Sequence, residues 1–194
     1  MRNFDPHKIA HYEKENYVAY YQKRWLKLLR VSVGMVKEAF SLSWPQAIYG
    51  AYLVARAEIA FAPFPDNDLP LAESYMRRFY QFLNGVHGAD IDIEEAARLD
   101  MRWRIAHRQL FAREDNGPLV DALTDWYAAV YKVEPERVRP AAALRALGML
   151  YSDRWVNAGK PEHSPLLIQE EEALGKSYTA LREAVNTSPV PSSA

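Results

Sequence analysis

The feature that most constrains this fold is the segment 44–62, WPQAIYGAYLVARAEIAFA, which is almost entirely apolar and is bracketed by prolines. Pro45 suits the first turn of an α-helix because its φ is already helical and its missing N–H would have no partner there, while Pro63 ends the helix. A helix that is apolar on all sides is either a core helix or a membrane span, and a span of about 20 residues tolerates almost no charge. Arg56 and Glu58 therefore predict a buried core helix and no membrane span.

The two charges of this helix need separate partners. At about 100° per residue, Glu58 falls on the side of Ala47 and Ala51, whereas Arg56 falls on the opposite side with Tyr49 and Tyr52. Because a buried carboxylate costs several kcal/mol unless it is paired, Glu58 is expected to meet a polar group on another helix.

The remaining segments are also helical, since none shows the period-two alternation of a strand. Asp5-Pro6 begins a helix that meets no breaker before Ser43, which predicts a long N-terminal helix of about 38 residues with Gly34 as its one point of bending. Further breaks are expected at Asn84-Gly85, Asn116-Gly117-Pro118, Glu134-Pro135, Arg139-Pro140, Gly159 and Ser164-Pro165. The prediction is an all-α bundle of six or seven helices.

Length and composition favour one domain. The 194 residues are 49% hydrophobic and contain no linker-like change of composition before the end of the chain. We therefore expect a single all-α domain over residues 1–185, followed by a disordered tail, 186–194, whose sequence NTSPVPSSA is too polar to pack.

Charge and cysteine content exclude several classes of function. The net charge of −1 provides no field for nucleic acid, and the absence of cysteine excludes disulfides, zinc thiolate sites and thiol nucleophiles. The first residues, MRNFDPHKIAHYEKEN, contain no apolar signal-peptide core, so a cytoplasmic location is expected.

Two further helices place ionisable groups inside apolar arcs. On the segment 93–113, Asp100 and His107 lie within about 60° of Trp103, and on 141–158 the last turns carry polar residues inward. With the charges of the apolar helix, they form one predicted polar cluster. The candidate ligand-binding residues are Arg56, Glu58, Asp100, Arg104, His107, Asp153, Arg154 and Asn157.

The same residues also admit a purely structural interpretation. Asp100 and Arg104 are four residues apart with the acid first, the favourable order for a helical ion pair, and Arg56 and Arg154 are available to neutralise carboxylates on other helices. A charge-balanced network that fixes helix register would then explain the cluster without any ligand.

Metal and nucleophile chemistry are not expected. Di-iron bundles use Glu-x-x-His motifs, which this chain lacks, and Asp100 and His107 are separated by about 10 Å along one helix. No serine lies in a Gly-x-Ser-x-Gly elbow and no glycine-rich phosphate loop is present. We assign no metal site, and the sequence identifies no cofactor.

Two functions from different classes remain. The first is a non-catalytic assembly or interaction protein that self-associates or binds a protein partner through the long first helix, which carries Tyr12, Tyr17, Tyr20 and Tyr21. The second is a small-molecule-binding protein or enzyme that uses Glu58, Asp100, His107 and Asp153 in an aromatic-lined pocket suited to a hydrophobic ligand.

Overall fold

A computed structural model describes residues 1–187, and these residues form eight α-helices and no strand. The prediction of an all-α fold is confirmed for this part of the chain, with one or two helices more than expected. The helices are α1 (Pro6–Tyr21), α2 (Trp25–Ala39), α3 (Trp44–Phe61), α4 (Leu69–His87), α5 (Ile93–Gln109), α6 (Gly117–Tyr131), α7 (Pro135–Asn157) and α8 (Pro165–Asn186).

The helices are arranged as a ring in sequence order. Each helix packs against the one before it and the one after it, and α8 packs against α1. Buried apolar side chains from all eight helices meet in one core, which includes Phe79 and Tyr80 of α4 and Leu123 of α6. Within residues 1–187, no helix is both long enough and apolar enough to cross a membrane.

The predicted long N-terminal helix is wrong, because the chain reverses between α1 and α2. Lys23 adopts a left-handed conformation with φ of 57°. The N–H of Lys23 donates to the carbonyl of Tyr20 at 3.1 Å, and the N–H of Arg24 donates to that of Ala19 at 2.9 Å. These two bonds form a Schellman motif, which ends a helix by satisfying its last carbonyls. Gly34 is not a bend, since the Tyr12 ring of α1 packs directly against it.

The strained backbone at Lys23 leads to a prediction. A residue with a Cβ loses stability in the left-handed region, whereas glycine does not, so Lys23→Gly should raise the free energy of unfolding by about 0.5–1 kcal/mol. Arg30→Gly, an exposed position inside α2, should instead lower it by about 1 kcal/mol. Urea denaturation of both variants measures the difference, and equal losses of stability would contradict the role assigned to Lys23.

Other helix boundaries also differ from the prediction, and α5 ends at Gln109 instead of at residue 113. Pro140 lies inside α7 instead of breaking it, so the helix that was expected over 141–158 already begins at Pro135. α4 continues through Gly85 and ends at Gly88, which has a φ of 57°. Asn186 belongs to α8 instead of to a tail, and residues 188–194 of the predicted tail lie outside the described residues.

The helix α3 is not buried on all sides, which corrects the expectation of a core helix. One half of its surface, including Ala47, Leu53, Ala57 and Phe61, packs into the core. The other half faces outward although it is just as apolar. Ala57 occupies the inward position that was expected for Glu58, and the Glu58 side chain is about half exposed, at 48%. The apolar composition of α3 therefore reflects two different surfaces.

Candidate functional site

Three of the eight predicted site residues meet at the α3–α5 contact. Arg104 of α5 donates from Nε to Asp100 Oδ1 at 2.6 Å, as the four-residue spacing predicted. The same guanidinium forms an ion pair with Glu58 of α3, so the inter-helix partner expected for Glu58 exists, although it binds Glu58 at the surface. Arg104 thus joins one buried and one half-exposed carboxylate.

Asp100 is buried, with 2% of its surface exposed, and both of its carboxylate oxygens have hydrogen-bond partners. The Tyr80 hydroxyl donates to Oδ2 at 2.6 Å, and the indole N–H of Trp126 donates to that hydroxyl at 2.6 Å. Burial raises the pKa of Asp100 and lowers that of Arg104, because each loses water around its charged form. Burial, followed by the nearby Asp100 charge, also raises the pKa of Tyr80. This chain of donors holds α4, α5 and α6 in register.

A second polar centre surrounds Asp153 of α7. Its buried carboxylate accepts hydrogen bonds from the Tyr17 hydroxyl of α1 at 2.6 Å and from the N–H of Ala112 at 3.0 Å. Nε2 of His107 lies 3.2 Å from Oδ2 of the same carboxylate. Burial, followed by the Asp153 charge, raises the pKa of Tyr17, so this hydroxyl remains a donor. An imidazole oriented by a carboxylate is able to relay a proton, but here the carboxylate also anchors α1 and the loop after α5.

The other three predicted residues lie apart from these centres. Arg56 stacks near the rings of Tyr52 and Tyr75, and no carboxylate of residues 1–187 forms an ion pair with it. Arg154 pairs with the exposed Glu114 at 2.6 Å, and Asn157 is exposed. The expectation that Arg154 and Asn157 face inward with Asp153 is therefore wrong, because of these three residues only Asp153 lies on the buried side of α7.

One largely buried ion pair, between Arg145 and Glu13, was not predicted from the sequence. Arg145 of α7 binds Oε1 of Glu13 through Nε at 3.0 Å and through a terminal nitrogen at 2.9 Å, and the Tyr178 hydroxyl donates to the other oxygen of Glu13. Four aromatic rings surround the guanidinium, with centroids 5.1–5.9 Å from its central carbon; they belong to Trp103, Trp126, Tyr127 and Tyr178.

The electrostatics of this pair favour the charged state. Burial alone would lower the pKa of Arg145, but the Glu13 carboxylate and the neighbouring tyrosines outweigh it and raise the pKa well above its usual value. The sequence pattern could have predicted that Arg145 is buried, since it shares a helix face with the apolar residues Ala141, Ala142 and Met149, all of which are buried. Glu13 shares its helix face in the same way with Ile9 and Ala10, which lie four and three residues before it and are buried.

Among residues 1–187, Glu170 of α8 is the one buried carboxyl that is left incompletely bonded. Only 2% of it is exposed, and its Oε2 has no hydrogen-bond partner among residues 1–187. Burial, reinforced by the negative charge of Glu13, raises its pKa to about 9. Glu170 is therefore protonated and neutral at neutral pH.

A groove of about 1240 Å³ runs between α1 and α8, away from every predicted site residue. Its walls carry charges of both signs, including Lys14, Lys27, Glu15 and Glu171, which pair with one another. Within the part of the chain described by the structure, no group of three or more histidine, aspartate or glutamate side chains is arranged to hold a metal ion.

The outward half of α3 is an exposed apolar surface. We define the α3 outer face as Trp44, Ile48, Tyr52, Ala55 and Ile59, which all lie within about 80° of one another around the helix. The large side chains of this face are 47–66% exposed. Arg56 and Glu58 lie at its edges, where intramolecular partners hold both of them. The helix α2, which packs against α3, also exposes Leu26 and Leu29.

Comparison of this chain with protein-family models, with curated proteins and with solved structures gives no significant match.

Proposed function

We propose that this chain is a non-catalytic assembly protein that self-associates through the α3 outer face. The observation that supports the proposal is the exposure of this face. Trp44, Ile48 and Ile59 are each more than half exposed on a helix that is otherwise well packed. A contiguous apolar surface in contact with water is unfavourable, and in soluble proteins such patches usually mark interfaces.

The exposed area is suited to a stable interface. Each large side chain of the face leaves on the order of 100 Å² of surface in water, given the size of aromatic and branched residues. The five large apolar side chains that α3 exposes, Tyr49 included, thus leave on the order of 500 Å² in water, more than half of the roughly 800 Å² per partner that standard interfaces bury. Burial of this area would supply the hydrophobic driving force for association.

The first helix supports self-association less well than the sequence suggested. Of its four tyrosines, only Tyr20 is largely exposed, while Tyr17 binds Asp153 and Tyr12 packs on Gly34. The competing function, a small-molecule binder or enzyme, also receives less support, because Asp100 and Asp153 are occupied by donors from the protein itself. On the α3 outer face, Lys37 lies over the Trp44 ring and Arg56 donates to the Tyr52 hydroxyl, whereas Ile48 and Ile59 remain more than half exposed.

A charge at the centre of the face should prevent self-association. In Ile48→Glu, each interface would lose the burial of two isoleucines and would have to desolvate two carboxylates, so the dissociation constant should rise about 100- to 1000-fold. Sedimentation velocity over a range of protein concentrations measures the change against the 22.3 kDa chain mass.

Ile168→Glu is the matched control, because Ile168 is similarly exposed, at 63%, but lies on α8. It should sediment as the wild type does. Far-ultraviolet circular dichroism should show the same helix content in both variants, since neither side chain belongs to the core. Unchanged association of Ile48→Glu would exclude the α3 outer face as the assembly surface.

A further inference from the structure

We propose that the corner between α1 and α2 binds the surface of a membrane that contains anionic phospholipids. The inference goes beyond the proposed function, because it assigns a different surface to a different kind of partner. We define the α1–α2 corner as residues 20–30, YYQKRWLKLLR, where the chain reverses between the two helices. Its exposed side chains are either apolar or basic, and this combination favours the boundary between lipid headgroups and acyl chains.

The apolar side chains of the α1–α2 corner lie together on one exposed surface. Trp25, Leu26 and Leu29 fall within about 100° of one another around α2, and each of them is more than half exposed. The Tyr20 ring of α1 packs edge-on against the Trp25 ring, with 6.4 Å between their centroids. Leu26, at 87%, is the most exposed large apolar side chain of residues 1–187. The corner therefore presents two aromatic and two aliphatic side chains to a partner.

The charge of the corner is complementary to an anionic surface. The segment contains no acidic residue and four basic ones, which are Lys23, Arg24, Lys27 and Arg30. Arg24 pairs with Glu162, and Lys27 pairs with Glu15, which also pairs with Lys14. Lys23 and Arg30 are exposed, and no carboxylate of residues 1–187 forms an ion pair with either of them. Positive charge is thus left in excess beside the apolar side chains.

Other occupants fit this combination less well. Two copies of the corner facing each other would bring basic residues against basic residues, which is unfavourable. Nucleic acid would satisfy the basic residues through its phosphates, but it offers no apolar partner to Leu26 and Leu29. An anionic membrane satisfies both, because its headgroups attract lysine and arginine while aromatic and aliphatic side chains enter the acyl boundary. A projecting corner also needs no matching cavity in a fluid layer of lipid.

Co-sedimentation with lipid vesicles tests the inference. The wild type should sediment with vesicles of phosphatidylcholine and phosphatidylserine and should stay in solution with phosphatidylcholine alone. High salt should release it, because salt screens the attraction between the basic residues and the headgroups. The double variant Lys23→Gln/Arg30→Gln should bind the mixed vesicles about 25-fold more weakly, since each basic residue near an anionic surface contributes about fivefold to affinity.

Matched variants separate the corner from the rest of the surface. Arg78→Gln/Lys176→Gln removes the same charge from exposed positions on α4 and α8, and it should bind the mixed vesicles as the wild type does. Leu26→Gln should weaken binding about tenfold, because one leucine no longer enters the apolar layer. Ile168→Gln, at an exposed apolar position on α8, should have no effect.

A fluorescent label reports which part of the molecule meets the lipid. The natural chain has no cysteine, so a single introduced cysteine is the only thiol that reacts with the label. An environment-sensitive fluorophore attached to Leu26→Cys should shift its emission to shorter wavelength when mixed vesicles are added. The same fluorophore on Ile168→Cys should keep the emission that it has in water.

Several results would overturn the inference. They are no binding to the mixed vesicles, equal binding to both kinds of vesicle, unchanged binding of Lys23→Gln/Arg30→Gln, and an equal emission shift at positions 26 and 168. Tighter binding to a single-stranded DNA oligonucleotide than to the mixed vesicles would identify nucleic acid as the partner and would also overturn it. None of these results bears on self-association, which sedimentation without lipid measures separately.

Discussion

Replacing Arg145 with methionine is expected to lower the free energy of unfolding by about 3–5 kcal/mol, because it leaves the Glu13 carboxylate, of which only 16% is exposed, without its cation. Arg145 supplies two hydrogen bonds to Glu13 and lies among four aromatic rings at the contact of α1, α7 and α8. Urea denaturation followed by tryptophan fluorescence, at one fixed protein concentration, measures the loss.

Two further variants identify the cause of that loss. Arg154→Met on the same helix removes an exposed ion pair and should change stability by no more than about 0.5 kcal/mol. The double variant Glu13→Gln/Arg145→Met should be more stable than Arg145→Met alone, because it no longer buries an unpaired charge. If the double variant is the less stable of the two, the loss comes from packing and not from the orphaned carboxylate.

Glu170→Gln is expected to stabilise the protein at pH 8 by a few kcal/mol and to have little effect near pH 4.5. Burial holds the pKa of Glu170 at about 9, whereas the unfolded chain has the ordinary value of 4.5. Between these two values the folded chain keeps a proton that the unfolded chain has released. The free energy of unfolding therefore falls as pH rises through this window, by at most about 1.4 kcal/mol per pH unit.

Glutamine removes this dependence because it has no proton to lose and fits nearly the same space. Thermal melting of the wild type and the variant between pH 4.5 and pH 8 measures the difference. Glu172→Gln on the exposed side of α8 is the control, and its melting temperature should follow the wild type at every pH. Parallel curves for Glu170→Gln and the wild type would show that Glu170 is ionised in the folded protein.

Local signals predicted the helices well where capping side chains mark them. Asp5 accepts hydrogen bonds from the N–H groups of His7 and Lys8, and Asp68 and Ser164 cap α4 and α8 in the same way. The end of α1 carries no such mark. A Schellman motif is formed by backbone groups. Lysine, unlike glycine, does not indicate a left-handed position, so the sequence did not predict that α1 ends before Lys23.

The candidate site likewise contains one ion pair that could be predicted from the sequence and one that could not. The Asp100–Arg104 pair could be predicted because its partners lie on one helix, at a spacing fixed by helical geometry. The Arg145–Glu13 pair joins residues 132 positions apart, so only the packing of α7 against α1 and α8 brings them together. Periodicity also cannot distinguish an apolar face that meets the core from one that meets a partner, which is why α3 was expected to be buried.

The mass of the wild-type protein in solution tests the account most directly. Size-exclusion chromatography with multi-angle light scattering, run from low to high micromolar concentration, should give a mass that rises above the 22.3 kDa of the chain as the concentration increases. The Ile48→Glu variant should remain at the single-chain mass throughout. A wild-type mass of one chain at every concentration would contradict the assignment of the α3 outer face as an assembly surface.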